Sequence, residues 1–283
     1  MKTTNPVLSR FGRTAVRERG AGYAAGAGYQ QPAYGQGYPP AGYPEPSGYP
    51  NGAFPTSPVS TRTMTIDDVV VKTATLLGLL AASAAAAWVL IPDALLGAAW
   101  IGAAVVGLVL GLIISFSRMA NPALVVAYSV VEGVFVGMVS KFFTSVAGYD
   151  GIVLQAVVAT FGVFFAMVLL YKARVVRATP RFTRILIAVM GGLFAAMLIN
   201  FVLALFGVDT GLRSGGPVAV GFSLICIVVA ALSFVLNFAE IEEGVRAGLP
   251  ERYSWMAAFG ILVGLVWLYL EVLRLLSYFQ GDD

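Results

Sequence analysis

The sequence predicts an all-α integral membrane protein, a seven-transmembrane-helix bundle behind a disordered N-terminal tail. Three observations carry that prediction. Apolar residues make up 58% of the 283 positions and charged residues only 12%, with a mean hydropathy of +0.82 even though a polar tail is included. A water-soluble surface needs roughly a quarter of its residues charged, so most of this surface has to face lipid. Seven apolar runs then follow one another, each close to the roughly 20 residues needed to cross a hydrocarbon core. The basic residues, finally, collect in alternate breaks between those runs, as they do in multi-pass membrane proteins.

Taken in order, residues 1–62 are rich in Gly, Pro, Tyr, Ala and Gln, with tyrosines at Tyr23, Tyr29, Tyr34, Tyr38, Tyr43 and Tyr49 usually beside Gly or Pro. So few large aliphatic residues cannot bury enough surface to offset chain entropy, and a flexible cytoplasmic tail is expected. A Tyr-based interaction segment is the sharper reading of the same composition. The segment has no apolar core of the kind a signal peptide needs. Thr65-Ile66-Asp67-Asp68 reads as a helix start, with Thr65 as N-cap and the two aspartates in the first turn. The transmembrane domain is therefore expected over 63–283.

The runs fall at 69–91, 94–116, 121–141, 151–171, 185–206, 217–239 and 255–278. Pro92-Asp93 closes the first; Ser117-Arg118 and Asn121-Pro122 separate the second from the third. Gly148 to Gly151 precedes the fourth, and a basic stretch from Lys172 to Arg184 divides the fourth from the fifth. Asp209 to Pro217 and Glu240 to Tyr253 bound the sixth. With the N-terminus in the cytoplasm, fifteen of the 18 basic residues lie on the inner side; only Lys141, Arg213 and Arg274 lie on or near the outer side. That bias predicts N-terminus in, C-terminus out and an odd number of spans. Trp88, Trp100 and Trp255 sit near expected interfaces. The pairs Gly107/Gly111, Gly133/Gly137 and Gly260/Gly264 have the spacing that lets two helix backbones approach.

Composition also excludes much chemistry. There is no histidine, which removes imidazole bases and ligands, and Cys226 is the one cysteine, so neither a disulfide within the chain nor a multi-thiolate metal site can form. No phosphate-binding loop occurs, no lysine lies deep in a run, and no aspartate lies well inside one. The expectation is a protein without enzymatic activity and without a cofactor. The net charge of +3 arises in the tail and loops and does not point to nucleic acid; the bilayer is the expected partner.

An ionisable side chain inside a membrane needs a counter-ion, a wet cavity or its neutral form, so the few such residues are informative. Glu132 lies near the middle of the third run and has no basic neighbour at helical spacing. Glu271, within WLYLEVLRLL, is either a cation-binding carboxylate or the partner of Arg274 three residues on. Asn237 lies near the inner end of the sixth run, followed by Glu240, Glu242 and Glu243, for which a solvated acidic loop is the plain reading. Arg118, at the inner end of the second run, is a topology anchor or a closing counter-ion. Any pH response has to come from carboxylates, with Glu132 and Glu271 the candidates. Protonation would remove charge from the site, so cation occupancy should fall as pH drops.

SFVLNFAEIEEGV at the end of the sixth run and AAFGILVGLVWLYLEVLRLLSYF in the seventh resemble the Bax inhibitor 1 family, also called the transmembrane Bax-inhibitor-motif family, including its bacterial YccA-like branch. NPALVVAYSVVEGVFVGMVSKFF resembles the third helix of one bacterial subgroup. The resemblance covers about 65–283. It implies a seven-helix bundle that leaks cations, chiefly Ca2+, down their gradient and is pH-sensitive through paired acidic residues on its last two helices. Glu271 matches the acidic position of the seventh helix and is the implied metal ligand, with bound Ca2+ the only ion called for. The acidic position of the sixth helix falls on Asn237, an amide that does not ionise. Glu240 or Glu242 is then a substitute, and Glu132 the alternative partner at similar estimated depth. The resulting reading is a passive, pH-sensitive cation leak channel or exchanger in a cell membrane, a bacterial inner membrane by its tail composition. A non-transporting regulator that binds other membrane proteins, such as a quality-control protease, is the alternative.

Overall fold

Where the polar tail gives way to the first apolar run, the chain supplies its own start signal. Thr65 caps α1 (Ile66–Leu90): its hydroxyl accepts from the Asp68 amide at 3.2 Å, while the Asp68 carboxylate accepts from the Thr65 amide at 3.0 Å. This reciprocal box satisfies two amides that the first turn would otherwise leave without partners. The computed structural model describes residues 62–117, 121–208, 210–212 and 215–280. The tail expected over 1–62 thus lies, save Arg62, outside the described residues, as does Arg118.

Six further helices follow: α2 (Leu96–Phe116), entered through a 3₁₀ turn over Asp93–Leu95, α3 (Pro122–Lys141), α4 (Ile152–Lys172), α5 (Pro180–Leu205), α6 (Gly216–Arg246) and α7 (Tyr253–Gln280). Among the described residues, seven helices are long and apolar enough to cross a membrane, one for each expected run. The end that carries the α4–α5 and α6–α7 connections is called inner, after the basic residues that collect there.

Three boundaries differ from the apolar runs for physical reasons. α5 begins at Pro180 because Thr179 accepts from the Phe182 amide at 3.2 Å and proline fits the first helical position, where no amide hydrogen is needed. α6 continues past residue 239 to Arg246, its charged last turns held by a Glu242–Arg246 pair at 2.7 Å. α3 runs on through Phe142–Val146 as a π turn.

The helix buried on most sides is α7, which packs against α1, α3, α4 and α6; α2 leans on α3, and α5 joins the bundle through α6. Of the three glycine pairs, one marks a close approach of backbones, while Gly107/Gly111 and Gly260/Gly264 make room for side chains of a neighbouring helix. α3 lies so near α1 that side-chain carbon at Gly133 or Gly137 would run into the α1 backbone at Leu80 and Ala84. Gly260 and Gly264 of α7 face Asn237 and Phe234 of α6. In the inner half, Leu76, Ile114, Val125, Tyr128, Ala258, Phe259 and Leu262 from α1, α2, α3 and α7 form one apolar layer. A smaller outer cluster joins Ala87, Leu96 and Met138, with Trp100 and Phe142 against it.

Candidate functional site

The side of α7 that meets α6 can be read from three residues. Gly260 accepts a hydrogen bond from Asn237 Nδ2 at 3.3 Å, and Gly264, one turn on, leaves room for the Phe234 ring. Glu271 follows Gly264 by seven residues, about two turns, and so lies on nearly the same side. Its side chain is 2% exposed, and Oε1 accepts from Arg274 Nη1 at 2.8 Å. Of the two sequence readings of Glu271, the pairing with Arg274 is present, and it is made by a carboxylate buried in the bundle. Two residues earlier, the Tyr269 hydroxyl shares a 2.7 Å hydrogen bond with Ser140 of α3.

Because α6 and α7 are antiparallel, the contacts at 237/260 and 234/264 set their register. Extending it outward puts Glu271 level with Cys226 and Arg274 level with Ser223, both α6 residues being buried and on the side that carries Phe234 and Asn237. The Ser223 hydroxyl has no hydrogen-bond partner among the described residues. Asn237 itself lies eleven residues, about 16 Å, inward of Glu271. The two positions implied by the family resemblance are not neighbours, and Asn237 instead spends its amide on the α7 backbone.

Nor is Glu132 the neighbour of Glu271 that depth counting suggested. Tyr269–Ser140 and the edge-on Tyr128–Phe259 ring pair (centroids 5.0 Å apart) set the parallel register of α3 and α7. They place Glu132 level with Leu262, about 13 Å inward of Glu271 and near the Asn237 level. The error has a simple source: Glu132 is only ten residues into α3, whereas Glu271 is eighteen into α7. The Glu132 carboxylate, half-buried, lies over the notch at Gly107, where a Cβ would come within 2.9 Å of Oε2, and Tyr128 one turn earlier faces it. This polar group sits between α2 and α3.

Glu240 is exposed near the inner end of α6. Glu242 accepts from the Tyr171 hydroxyl and from Arg246, each at 2.7 Å, and Glu243 lies 3.7 Å from Arg246. Glu242 ties α6 to α4 at the inner surface, and the acidic stretch read as a solvated loop is helical, because α6 continues through it to Arg246.

A second group of charges was visible in the sequence only as scattered letters. Lys72 Nζ donates to Ser254 Oγ at 2.6 Å and to Glu251 at 3.1 Å, and lies 5.3 Å from the centre of the Trp255 ring. Arg62 holds Asp68 at 3.0 Å. The backbone joins in: the Met64 amide donates to Leu249 O at 2.7 Å and the Glu251 amide to Arg62 O at 2.8 Å. The segment before α1 is thereby clasped to the α6–α7 connection across the inner end of the bundle. At the outer end Lys141 does similar work, donating to Ile91 O at 2.7 Å and pairing with Asp93 at 2.8 Å. The i,i+4 spacing of Asp68 and Lys72 in front of an apolar run was the one signal that could have marked the inner clasp. Lys72→Gln is expected to lower stability by about 1–2 kcal/mol, since Glu251 is a third exposed and its loss is softened by water. Thermal unfolding in detergent measures that loss, and hydrogen exchange at the start of α7 should rise with it; unchanged exchange there would remove the clasp from the account.

The inner clasp, the apolar layer of Leu76, Phe259 and Leu262, and the Glu271–Arg274 pair in the outer half thus follow one another along the bundle. The outer level offers one carboxylate, hydroxyls and the Cys226 thiol but no imidazole, and among the described residues no three acidic, cysteine or histidine side chains gather to hold a metal ion. In the described conformation Arg274 occupies part of that carboxylate, so a cation would have to compete with a guanidinium.

A family model described as Bax inhibitor 1 like matches residues 5–281. A search among curated proteins finds no match to the chain.

Proposed function

Because the chain belongs to the Bax inhibitor 1 like family, we propose that it is a passive cation path across a cell membrane, with Ca2+ the ion that best suits its oxygen donors. The observation that carries this reading is Glu271, a carboxylate 2% exposed inside a seven-helix membrane bundle. A buried charge there needs a function or a partner that justifies its desolvation. Arg274 supplies a partner at 2.8 Å, yet an i,i+3 pair within one helix does little to hold the bundle together. Its simplest use is reversible: the guanidinium neutralises Glu271 when the path is empty and yields when a cation arrives. Glu132 and Asn237 form a second polar level farther in, and Glu240 lies nearer the inner surface. No enzymatic step and no resident cofactor enter this reading.

Ca2+ flux into liposomes holding the purified chain tests it, wild type beside Glu271→Gln. The amide keeps the shape of the side chain and removes its charge. Flux is expected to fall at least about tenfold, the loss of the charged ligand to a hard cation, with the unfolding temperature nearly unchanged. Wild-type flux from Glu271→Gln would take this carboxylate out of the path. No flux above empty liposomes from folded wild-type protein would overturn the transport reading and favour a non-transporting regulator that acts by binding other membrane proteins.

A further inference from the structure

The α4–α5 connection concentrates charge that the ion path does not use. Lys172, Arg174, Arg177, Arg181 and Arg184 fall within 13 residues, and all five are exposed. None forms a side-chain hydrogen bond or ion pair with another described residue. Other basic residues of the bundle behave differently: Arg62, Lys72, Lys141, Arg246 and Arg274 each hold a carboxylate.

The segment cannot neutralise itself, because no acidic residue occurs between Asp150 and Asp209. The carboxylates that reach this corner through Tyr171 are Glu242 and its neighbour Glu243, and both are engaged by Arg246. Local structure aggravates the crowding. Arg181 and Arg184 lie near the start of α5, at the positive end of the helix dipole, where acidic residues are favoured and none is present. Arg174 adopts a left-handed backbone conformation (φ 59°) that a glycine or asparagine would take more easily, folding the chain back with its amide on Tyr171 O at 2.9 Å. Val175 beside it points outward, 68% exposed. α5 is itself nearly unpacked, Leu186 being its one buried residue among the described side chains, so lipid surrounds most of it.

We propose that the α4–α5 connection is a binding surface for acidic phospholipids. It lies where two spans end, the depth at which lipid phosphates lie, and four of its five cations are guanidinium groups, which pair with phosphate oxygens two at a time. Val175 sits among the charges as the apolar contact that an interface accepts. The inner surface then carries two arrangements of opposite kind, a clasp closed by its own ion pairs and a basic edge completed by the bilayer.

Full-length protein in detergent, titrated with phosphatidylglycerol or with phosphatidylcholine and read by native mass spectrometry, tests the assignment. Wild type is expected to retain phosphatidylglycerol at least about tenfold more tightly, since each cation near an anionic surface adds appreciably to binding. Raising the ionic strength should weaken that preference. Changing Arg174, Arg177, Arg181 and Arg184 together to glutamine should abolish it, whereas the same change at Arg10, Arg13, Arg17 and Arg19 of the tail should not. Should the quadruple variant fail to fold, Arg181→Gln alone, at an exposed helical position, should still lower the preference measurably. An undiminished preference in the α4–α5 variants would overturn the proposal, as would an equal loss in the tail variant. Displacement of the lipid by inorganic phosphate at matching concentration would also overturn it, in favour of a site for the free anion.

Discussion

Replacing Gly137 by leucine is expected to leave no stable bundle. A Cβ at this position would lie 2.6 Å from the carbonyl oxygen of Ala84 and 3.0 Å from its Cα, and at Gly133 it would meet the Leu80 carbonyl and the Ser83 hydroxyl. Those are mostly backbone atoms, which have no rotamer to change, so α1 and α3 would have to move apart along their length. Lipid tails are as apolar as leucine, so helices in a bilayer are held together by close packing and hydrogen bonds rather than by escape from water. Separation would forfeit both, including the buried bond from Ser129 Oγ to Leu76 O at 2.6 Å. The loss should exceed the roughly 1–3 kcal/mol of ordinary overpacking. Size-exclusion and thermal unfolding in detergent check it against Gly78→Leu and Gly162→Leu, where an added Cβ meets nothing within 4 Å. If the Gly137 and Gly162 variants unfold alike, the α1–α3 contact is not what holds the bundle.

This contact was legible in the sequence, because four-residue glycine spacing in an apolar run marks where a neighbouring helix comes close, by its backbone here and by side chains at the other two pairs. So were the seven helices, since the hydrocarbon core dictates their length whatever the side chains do. The ends of α5 and α6 were less legible. An apolar run marks where lipid contact begins, whereas a helix ends where capping ends, and Thr179 and the Glu242–Arg246 pair carry these two helices beyond their apolar stretches. Glu271 and Arg274 could be matched by their i,i+3 spacing. Lys72 and Glu251, 179 positions apart, could not, because pairing between helices leaves no periodic trace in one sequence. Glu132 shows a further limit of counting: α3 and α7 begin at nearly the same depth, so a residue ten positions into one is not level with a residue eighteen positions into the other. The amide at Asn237 was visible as a departure from the family pattern; its use, a hydrogen bond to the Gly260 carbonyl, required the register of α6 on α7.

Removing Arg274 is expected to move stability and flux in opposite directions. In Arg274→Gln the carboxylate of Glu271, 2% exposed, would lose a charged hydrogen bond at 2.8 Å. Breaking a buried pair from one side costs about 3–5 kcal/mol; Arg274 is 24% exposed, and partial hydration of the site should bring the loss nearer about 2 kcal/mol. The same change removes the group that competes with an entering cation, so Ca2+ flux should rise several-fold while the unfolding temperature falls. Glu271→Gln in the Arg274→Gln background supplies the decisive comparison. With no charge left on either side, most of the lost stability should return, because a neutral pair has little to desolvate. Flux should nonetheless fall to the level of Glu271→Gln alone, because the ligand is gone. A guanidinium that only braced the outer end of α7 would give a different pattern: stability and flux would fall together in Arg274→Gln, and the second substitution would restore neither.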